Sequence, residues 1–454
     1  MQQNTLFIKN VKALITCDND DRVLENVNIY IENGIIKDIS TKEYPAEKII
    51  DGTNMLVYPG LINTHHHLYQ MFTRNLPAVQ NMELFPWLIY LYEIWKNLDE
   101  DSIRYSSLSG MGELLKSGCT TCFDHHYVFP NIENNNFIDV QFKVAEELGI
   151  RMHCSRGSMS LSKKDGGLPP DTVVQTVEEI LEDSERLIKK YHDPNPYSMR
   201  QMVLAPCSPF SVTGELMKKS AELARKYKVR LHTHLCETID EENFTLEKFG
   251  MRPLEYMKSL GWIGPDVWYA HGIHFNDEEL KLLAETKTGV AHCPISNMKL
   301  SSGIARVSEM KKLGIPVGLA VDGSASNDGS NLLEELRVGF LLQRLKYSND
   351  SITGYDMLKI ATNGGAQILG REKDLGSLEI GKAGDLFMID STRLELVGTQ
   401  FDYKSMLGTV GFKDAVDYTV VNGKVVVEHG KLVNIDEKEV AKKANSVLEK
   451  LNSN

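Results

Sequence analysis

From about Tyr58 to about Gly370 the chain alternates short apolar runs with longer stretches of helical periodicity. Strand-length apolar runs separated by helix-length segments predict parallel β/α units. About eight runs fit, the number a closed (β/α)8 barrel requires. They end at His67, Asp124-His125-His126, Cys154-Ser155-Arg156, Pro206-Cys207-Ser208, His234, His271, His292-Cys293 and Asp322-Gly323. Active sites of such barrels lie at the C-terminal strand ends, so one convergent site accounts for runs that stop repeatedly in His or Asp.

The two ends of the chain have a different texture. Short strands are expected at Thr5 to Ile8, Ala13 to Cys17, Val27 to Glu32 and Ile35 to Ile39, and again at Tyr418 to Val421 and Lys424 to Val427. Asn33-Gly34 and Asn422-Gly423 are hairpin turns of the favoured kind. Two β-rich ends around one long middle predict a single small β-domain built from both termini. The expected boundaries give residues 1–57 plus 376–440 to that domain, 58–375 to the barrel and 441–454 to a C-terminal helical tail. Asn75 to Asp99, with Trp87 and Trp95, reads as a helical excursion able to cover the site.

Composition narrows the function. The chain has 454 residues, 42% of them apolar and 25% charged, with no apolar run long enough to cross a bilayer. A formal net charge of -12 argues against a nucleic-acid partner, because phosphate binding wants a basic surface. The start, Met1-Gln2-Gln3-Asn4-Thr5, lacks the basic and apolar segments of a signal peptide. Seven scattered cysteines then read as reduced thiols of a cytoplasmic protein. Cys119 and Cys122 form a C-x-x-C, but Thr120-Thr121-Cys122-Phe123-Asp124 has the pattern of a buried strand and no second pair exists.

Candidate chemistry starts at His65-His66-His67. Side chains on a strand alternate, so His65 and His67 face one way and His66 the other. Two imidazoles at a strand end suit a divalent metal, zinc most commonly. His232 and His234 compete for a third position; His234 is preferred because it lies nearer the strand end. Asp322 completes an N/N/N/O set that leaves room for water, whose pKa such a metal lowers toward neutrality. Glu237, three residues past His234, can shuttle protons to a leaving group. His271 can orient the nucleophile or polarise the substrate.

With these residues in place, the chain is identified as similar to the amidohydrolase superfamily over nearly its whole length. The features that carry the resemblance are Pro59-Gly60-Leu61-Ile62-Asn63-Thr64-His65-His66-His67, His234-Leu235-Cys236-Glu237, Ala270-His271, Val321-Asp322-Gly323 and the stretch from Gly376 to Asp385. The resemblance implies a distorted (β/α)8 TIM-like barrel with a composite β-sandwich. It assigns His65, His67, His234 and Asp322 to one divalent metal ion, Zn2+ first and Fe2+ second. Glu237 then shuttles protons and His271 serves the nucleophile or substrate.

Within the superfamily the chain most resembles aminohydrolases of aromatic N-heterocycles, and among them 8-oxoguanine deaminases. That narrower resemblance rests on Asn63-Thr64-His65-His66-His67-Leu68-Tyr69-Gln70, the stretch Thr73 to Gln80, Asp124-His125-His126-Tyr127 and Arg156-Gly157-Ser158-Met159-Ser160. No strand-end lysine follows Met202 to Leu204, which favours one metal over two. Phe85-Pro86 precedes Trp87 where relatives acting on nucleosides carry a ribose-binding acid, which favours a free base. Gln70, Trp87, Arg156 and Cys207 are the candidates for gripping it. The expected reaction is hydrolytic deamination of a free purine-like base, with a triazine or pterin aminohydrolase or a chlorohydrolase as the alternative. A non-catalytic metal-binding scaffold is the remote one. A homo-oligomer is possible by resemblance only.

Overall fold

The computed structural model describes residues 4–132 and 136–453. Its first strands are β1 (Thr5–Ile15), β2 (Val23–Glu32), β3 (Ile35–Ser40), β4 (Lys48–Asp51) and β5 (Met55–Pro59). Next come the barrel strands β6 (Leu61–Asn63), β7 (His66–His67), β8 (Cys119–Asp124), β9 (Arg151–Ser158), β10 (Arg200–Pro206) and β11 (Arg230–Leu235). They continue as β12 (Val267–His271), β13 (Gly289–His292), β14 (Val317–Leu319) and β15 (Asp322–Gly323). The last strands are β16 (Leu386–Asp390), β17 (Tyr418–Val421), β18 (Lys424–Glu428) and β19 (Lys431–Leu432).

An eight-stranded sheet runs in the order β14-β13-β12-β11-β10-β9-β8-β6. Every pairing in it is parallel. The first and last strands meet at their C-terminal ends, where β7 pairs in parallel with β15 and Asp322 lies opposite His66. The amide of Thr64 donates to the Leu319 carbonyl and that of Asp322 to the His65 carbonyl, both at 3.1 Å. This seam draws the histidine cluster beside Asp322, residues far apart in sequence. The barrel strands are buried along almost their whole length, as strands covered on both faces must be.

Strands from both chain ends form a nine-stranded sheet, in the order β19-β18-β17-β16-β5-β1-β2-β3 with β4 beside β1. Residues from widely separated strands of it, including Ile8, Ile29, Ile36, Val57, Met388 and Val420, share one core. Asn33 and Gly34 (φ 51° and 80°) and Asn422 and Gly423 (φ 49° and 73°) close its two hairpins, the double left-handed geometry that Asn-Gly supplies. The C-terminal helix spans Glu437–Ser453, starting four residues before the boundary expected from the sequence. It packs on the barrel helix Glu100–Lys116. Among the described residues no helix is long and apolar enough to cross a membrane.

Candidate active site

The C-terminal strand ends converge on a narrow cavity lined by His67, Gln70, Trp87, Tyr127, Cys207, Phe210, His234, Glu237, His271, Leu300, Asp322 and Ser326, among others. Its apolar wall comes partly from the helix Leu84–Trp95, through Leu84, Trp87 and Leu88. That helix lies in the segment expected to cover the site.

Hydrogen bonds behind the histidines set their tautomers. Nδ1–H of His67 donates to the His125 carbonyl (2.6 Å), and Nδ1–H of His234 donates to the Cys207 carbonyl (2.6 Å). Nδ1 of His65 lies 2.8 Å from Nε2 of His232, whose own Nδ1–H donates to the Trp268 carbonyl (3.0 Å). His232 Nε2 is therefore an acceptor and His65 Nδ1–H its donor. All three front histidines are left with a bare Nε2 lone pair, the form that binds metal when a backbone or side-chain partner holds the other nitrogen. Burial also pushes the His65 imidazole down to about 3, which keeps it neutral.

Those lone pairs face one another. His67 Nε2 lies 3.1 Å from His234 Nε2, too close for two unprotonated nitrogens with nothing between them. Asp322 Oδ1 stands 3.2 Å from His65 Nε2 and 3.3 Å from His67 Nε2. A divalent cation relieves this crowding of donors, and three imidazoles with one carboxylate are a donor set suited to zinc. The residues present fit the ion. His125 also falls within the cluster of donor atoms; its Nε2–H donates to the Ala205 carbonyl (2.7 Å), which leaves its buried Nδ1 without a partner. His232, the competitor for the third position, sits deeper in the barrel behind His65.

Glu237 and His271 stand beside this group. Glu237 Oε2 is 3.4 Å from His271 Nε2, which in turn is 3.9 Å from Asp322 Oδ2. Burial raises the Glu237 carboxyl above its ordinary range. For His271 burial opposes the charge, but the nearby Glu237 and Asp322 carboxylates outweigh it and raise the imidazole. Cys236, His271 and Asp322 all adopt left-handed backbone angles (φ 53°, 69° and 62°), a conformation costing about 1–3 kcal/mol for such residues and concentrated at functional sites. At Glu237 the turn is held from behind. The Glu241 carboxylate accepts from the amides of Cys236 and Glu237, both at 3.0 Å.

Of the four residues expected to grip a substrate, Gln70, Trp87 and Cys207 line the cavity. Gln70 Oε1 and Trp87 Nε1 are buried without a hydrogen-bond partner. Arg156 does not join them. Its guanidinium points out of the barrel into the helix layer, bonding Asp183 (2.6 Å), Gln175 (2.8 Å) and the Gly157 carbonyl (2.5 Å) and lying 3.8 Å from the Phe129 ring centre. These contacts occupy the guanidinium, so Arg156 is structural where the sequence suggested substrate contact. Tyr127, Phe210 and Leu300 reach the cavity from loops and turns, and Ser326 from the short helix Ser324–Asn327, with no periodic signal to announce them. All seven cysteines are buried and free.

Known proteins resemble this chain over nearly its whole length. The chain is 46% identical to the 8-oxoguanine deaminase of Pseudomonas aeruginosa, over 95% of each chain. It is 39% identical to the hydroxydechloroatrazine ethylaminohydrolase of Pseudomonas sp. (strain ADP), over 96% of this chain and 94% of that one. The solved structure of atrazine chlorohydrolase from Arthrobacter aurescens TC1 complexed with zinc superposes with a TM-score of 0.94 at 32% identity, covering 98% of this chain and 100% of that chain. With the model of the amidohydrolase family matching residues 56–426, the chain belongs to that family.

Proposed function

We propose that the protein removes the exocyclic amine of a free purine-like base by hydrolysis, with 8-oxoguanine as substrate and uric acid and ammonia as products. The observation that carries the hydrolytic reading is the convergence of three Nε2 lone pairs and one carboxylate beside the Glu237–His271 pair. The choice of ring is supported by the 46% identity to the Pseudomonas aeruginosa 8-oxoguanine deaminase.

His65, His67, His234 and Asp322 would hold a divalent metal, zinc before iron, and a bound metal of this kind generates a hydroxide nucleophile near neutral pH. Asp322 Oδ2 takes up the proton released when water attacks the amine-bearing carbon. Glu237, whose carboxyl burial raises above its ordinary range, gives a proton to a ring nitrogen. His271 Nε2, facing both carboxylates, orients the attacking oxygen and steadies the protons they carry. The nitrogen leaves as ammonia when the tetrahedral carbon collapses, taking the proton held on Asp322, while the hydroxyl proton replaces the one Glu237 gave. Gln70 offers a free acceptor and Trp87 a free donor to the edges of the ring, while Cys207 lines the wall beside them.

Gly323 bears on that grip. A Cβ built there falls 1.9 Å from Gln70 Oε1, so Gly323→Ala swings the Gln70 amide out of place. The expected outcome is a KM raised about 10-fold with kcat little changed, the worth of one lost hydrogen bond. Steady-state kinetics read this directly, and an unchanged KM separates Gln70 from substrate binding.

A second reading has its own support, in the 39% identity to a triazine-directed aminohydrolase. The same groups would expel an alkylamine or chloride from a triazine, or ammonia from a pterin. Comparison of kcat/KM for 8-oxoguanine, guanine, isoxanthopterin and an aminotriazine distinguishes the two. An advantage of 10-fold or more for 8-oxoguanine is expected, on the order of what a pocket built to hydrogen-bond one ring achieves at the least; a faster triazine or pterin overturns the choice of ring.

A further inference from the structure

Strand β13 contributes no residue to the set of metal-binding candidates, yet the segment that follows it touches every proton-handling group of the site. Ser296 Oγ donates to Asp322 Oδ2 at 2.5 Å. Asn297 Oδ1 accepts from Nδ1–H of His271 at 2.9 Å. Ser302 Oγ approaches Glu237 Oε1 at 3.4 Å. These three partners sit at or just past the ends of different barrel strands, and one stretch of nine residues, 294–302, reaches all of them.

The stretch is itself tightly held. It opens as the short helix Pro294–Lys299. The amide of Asn297 donates to the Cys293 carbonyl (3.0 Å), and that of Ser302 returns to the Asn297 carbonyl (2.9 Å). At its start the amide of Ile295 donates to the buried Glu335 carboxylate (3.1 Å), whose other oxygen accepts from Asn327 Nδ2 (2.6 Å). Ser296 and Asn297 are fully buried, and Ser302 nearly so. None of the three lines the cavity, so none is placed to touch a substrate.

We propose that residues 294–302 form a positioning clamp for the proton carriers, with Asn297 as its central member. Asn297 fixes the rotation of the His271 ring by taking the Nδ1 proton, and so aims Nε2 at Glu237 and Asp322. Ser296 fixes the Asp322 carboxylate by holding Oδ2. The inference rests on the roles given to Glu237, His271 and Asp322 above. It predicts that loss of the Asn297 acceptor damages turnover rather than binding, since a misplacement of about 1 Å in a reacting group can cost on the order of 100-fold.

The test compares Asn297→Leu, which keeps the volume and removes the acceptor, with Asn297→Asp, which keeps the acceptor and adds a charge. Both are assayed in the metal-loaded protein with whichever heterocycle it turns over. Asn297→Leu is expected to lower kcat about 100-fold, with KM and metal stoichiometry within about 3-fold, and Asn297→Asp to recover most of the loss. A purely structural asparagine gives the opposite order, because a buried extra charge harms packing more than leucine does. A crystal structure of the Asn297→Leu protein supplies a readout free of any substrate, with the His271 ring expected to turn or lose its single orientation. An unturned ring, or an Asn297→Asp protein as slow as Asn297→Leu, overturns the clamp even where turnover of a heterocycle upholds the proposed reaction. Should Asn297→Leu not fold, Asn297→Ala carries the same comparison.

Discussion

Replacing Glu237 by glutamine lowers kcat by on the order of 1,000-fold while the metal stays bound, within the span that a positioned acid–base group contributes. Glutamine keeps the size of the side chain and its contact with Ser302 but has no proton to give a ring nitrogen. Glu237 is in neither cluster of candidate metal donors; its carboxylate lies 3.4 Å from His271 Nε2. The turn that carries it should survive, because Glu241 holds the amides of Cys236 and Glu237 whichever side chain follows. Metal analysis alongside steady-state kinetics checks both halves. A variant with near-native kcat and full metal content removes Glu237 from the reaction.

Asp322→Asn has a larger expected effect, a loss on the order of 10,000-fold or more, because two functions meet in one carboxylate. Oδ1 faces the Nε2 atoms of His65 and His67, while Oδ2 accepts from Ser296 and Ser326 and is the oxygen proposed to take up the proton from water. Asparagine weakens the first contact and abolishes the second. Metal stoichiometry at limiting zinc is therefore expected to fall together with kcat, in contrast to Glu237→Gln, where only kcat falls. If Asp322→Asn retains full metal occupancy and loses less activity than Glu237→Gln, Asp322 has neither function. Comparing the two variants in one metal titration separates a group that holds the ion from a group that only moves protons.

Much of this site was legible in the sequence because barrel strands carry their chemistry at one end. Apolar runs stopping at His67, His234, His271 and Asp322 announce a convergence that the parallel β/α pattern then makes geometrically necessary. The alternation of side chains correctly separates His66, whose Nε2 turns to Ser330, from His65 and His67. Alternation has no fixed phase, however, in a strand buried on both faces. Arg156 ends its run just as His234 does, and only the fold shows that it faces the helix layer and Asp183. Depth along a strand is equally hidden. His232 and His234 share a face, and the bond from His65 to His232 Nε2 is what sets them apart.

The supporting contacts were illegible for a different reason. Asn297 meets His271 across 26 residues and Ser302 meets Glu237 across 65. Such pairs leave no periodic trace, and each looks like an ordinary polar residue of a loop or short helix. The carbonyls of His125, Cys207 and Trp268 that set the histidine tautomers belong to the backbone, so side-chain identity says nothing of them. Hairpins lie at the other extreme: the two Asn-Gly pairs encode their left-handed turns locally and need no tertiary information.

The most direct test of hydrolytic deamination is to supply 8-oxoguanine to the zinc-loaded protein in 18O-labelled water and follow ammonia and urate together. The account predicts one ammonia released per urate formed, with one solvent oxygen atom incorporated into the product ring substituent and no turnover after the metal is stripped. Absence of ammonia from a protein holding stoichiometric zinc, or urate formed without solvent oxygen, contradicts it.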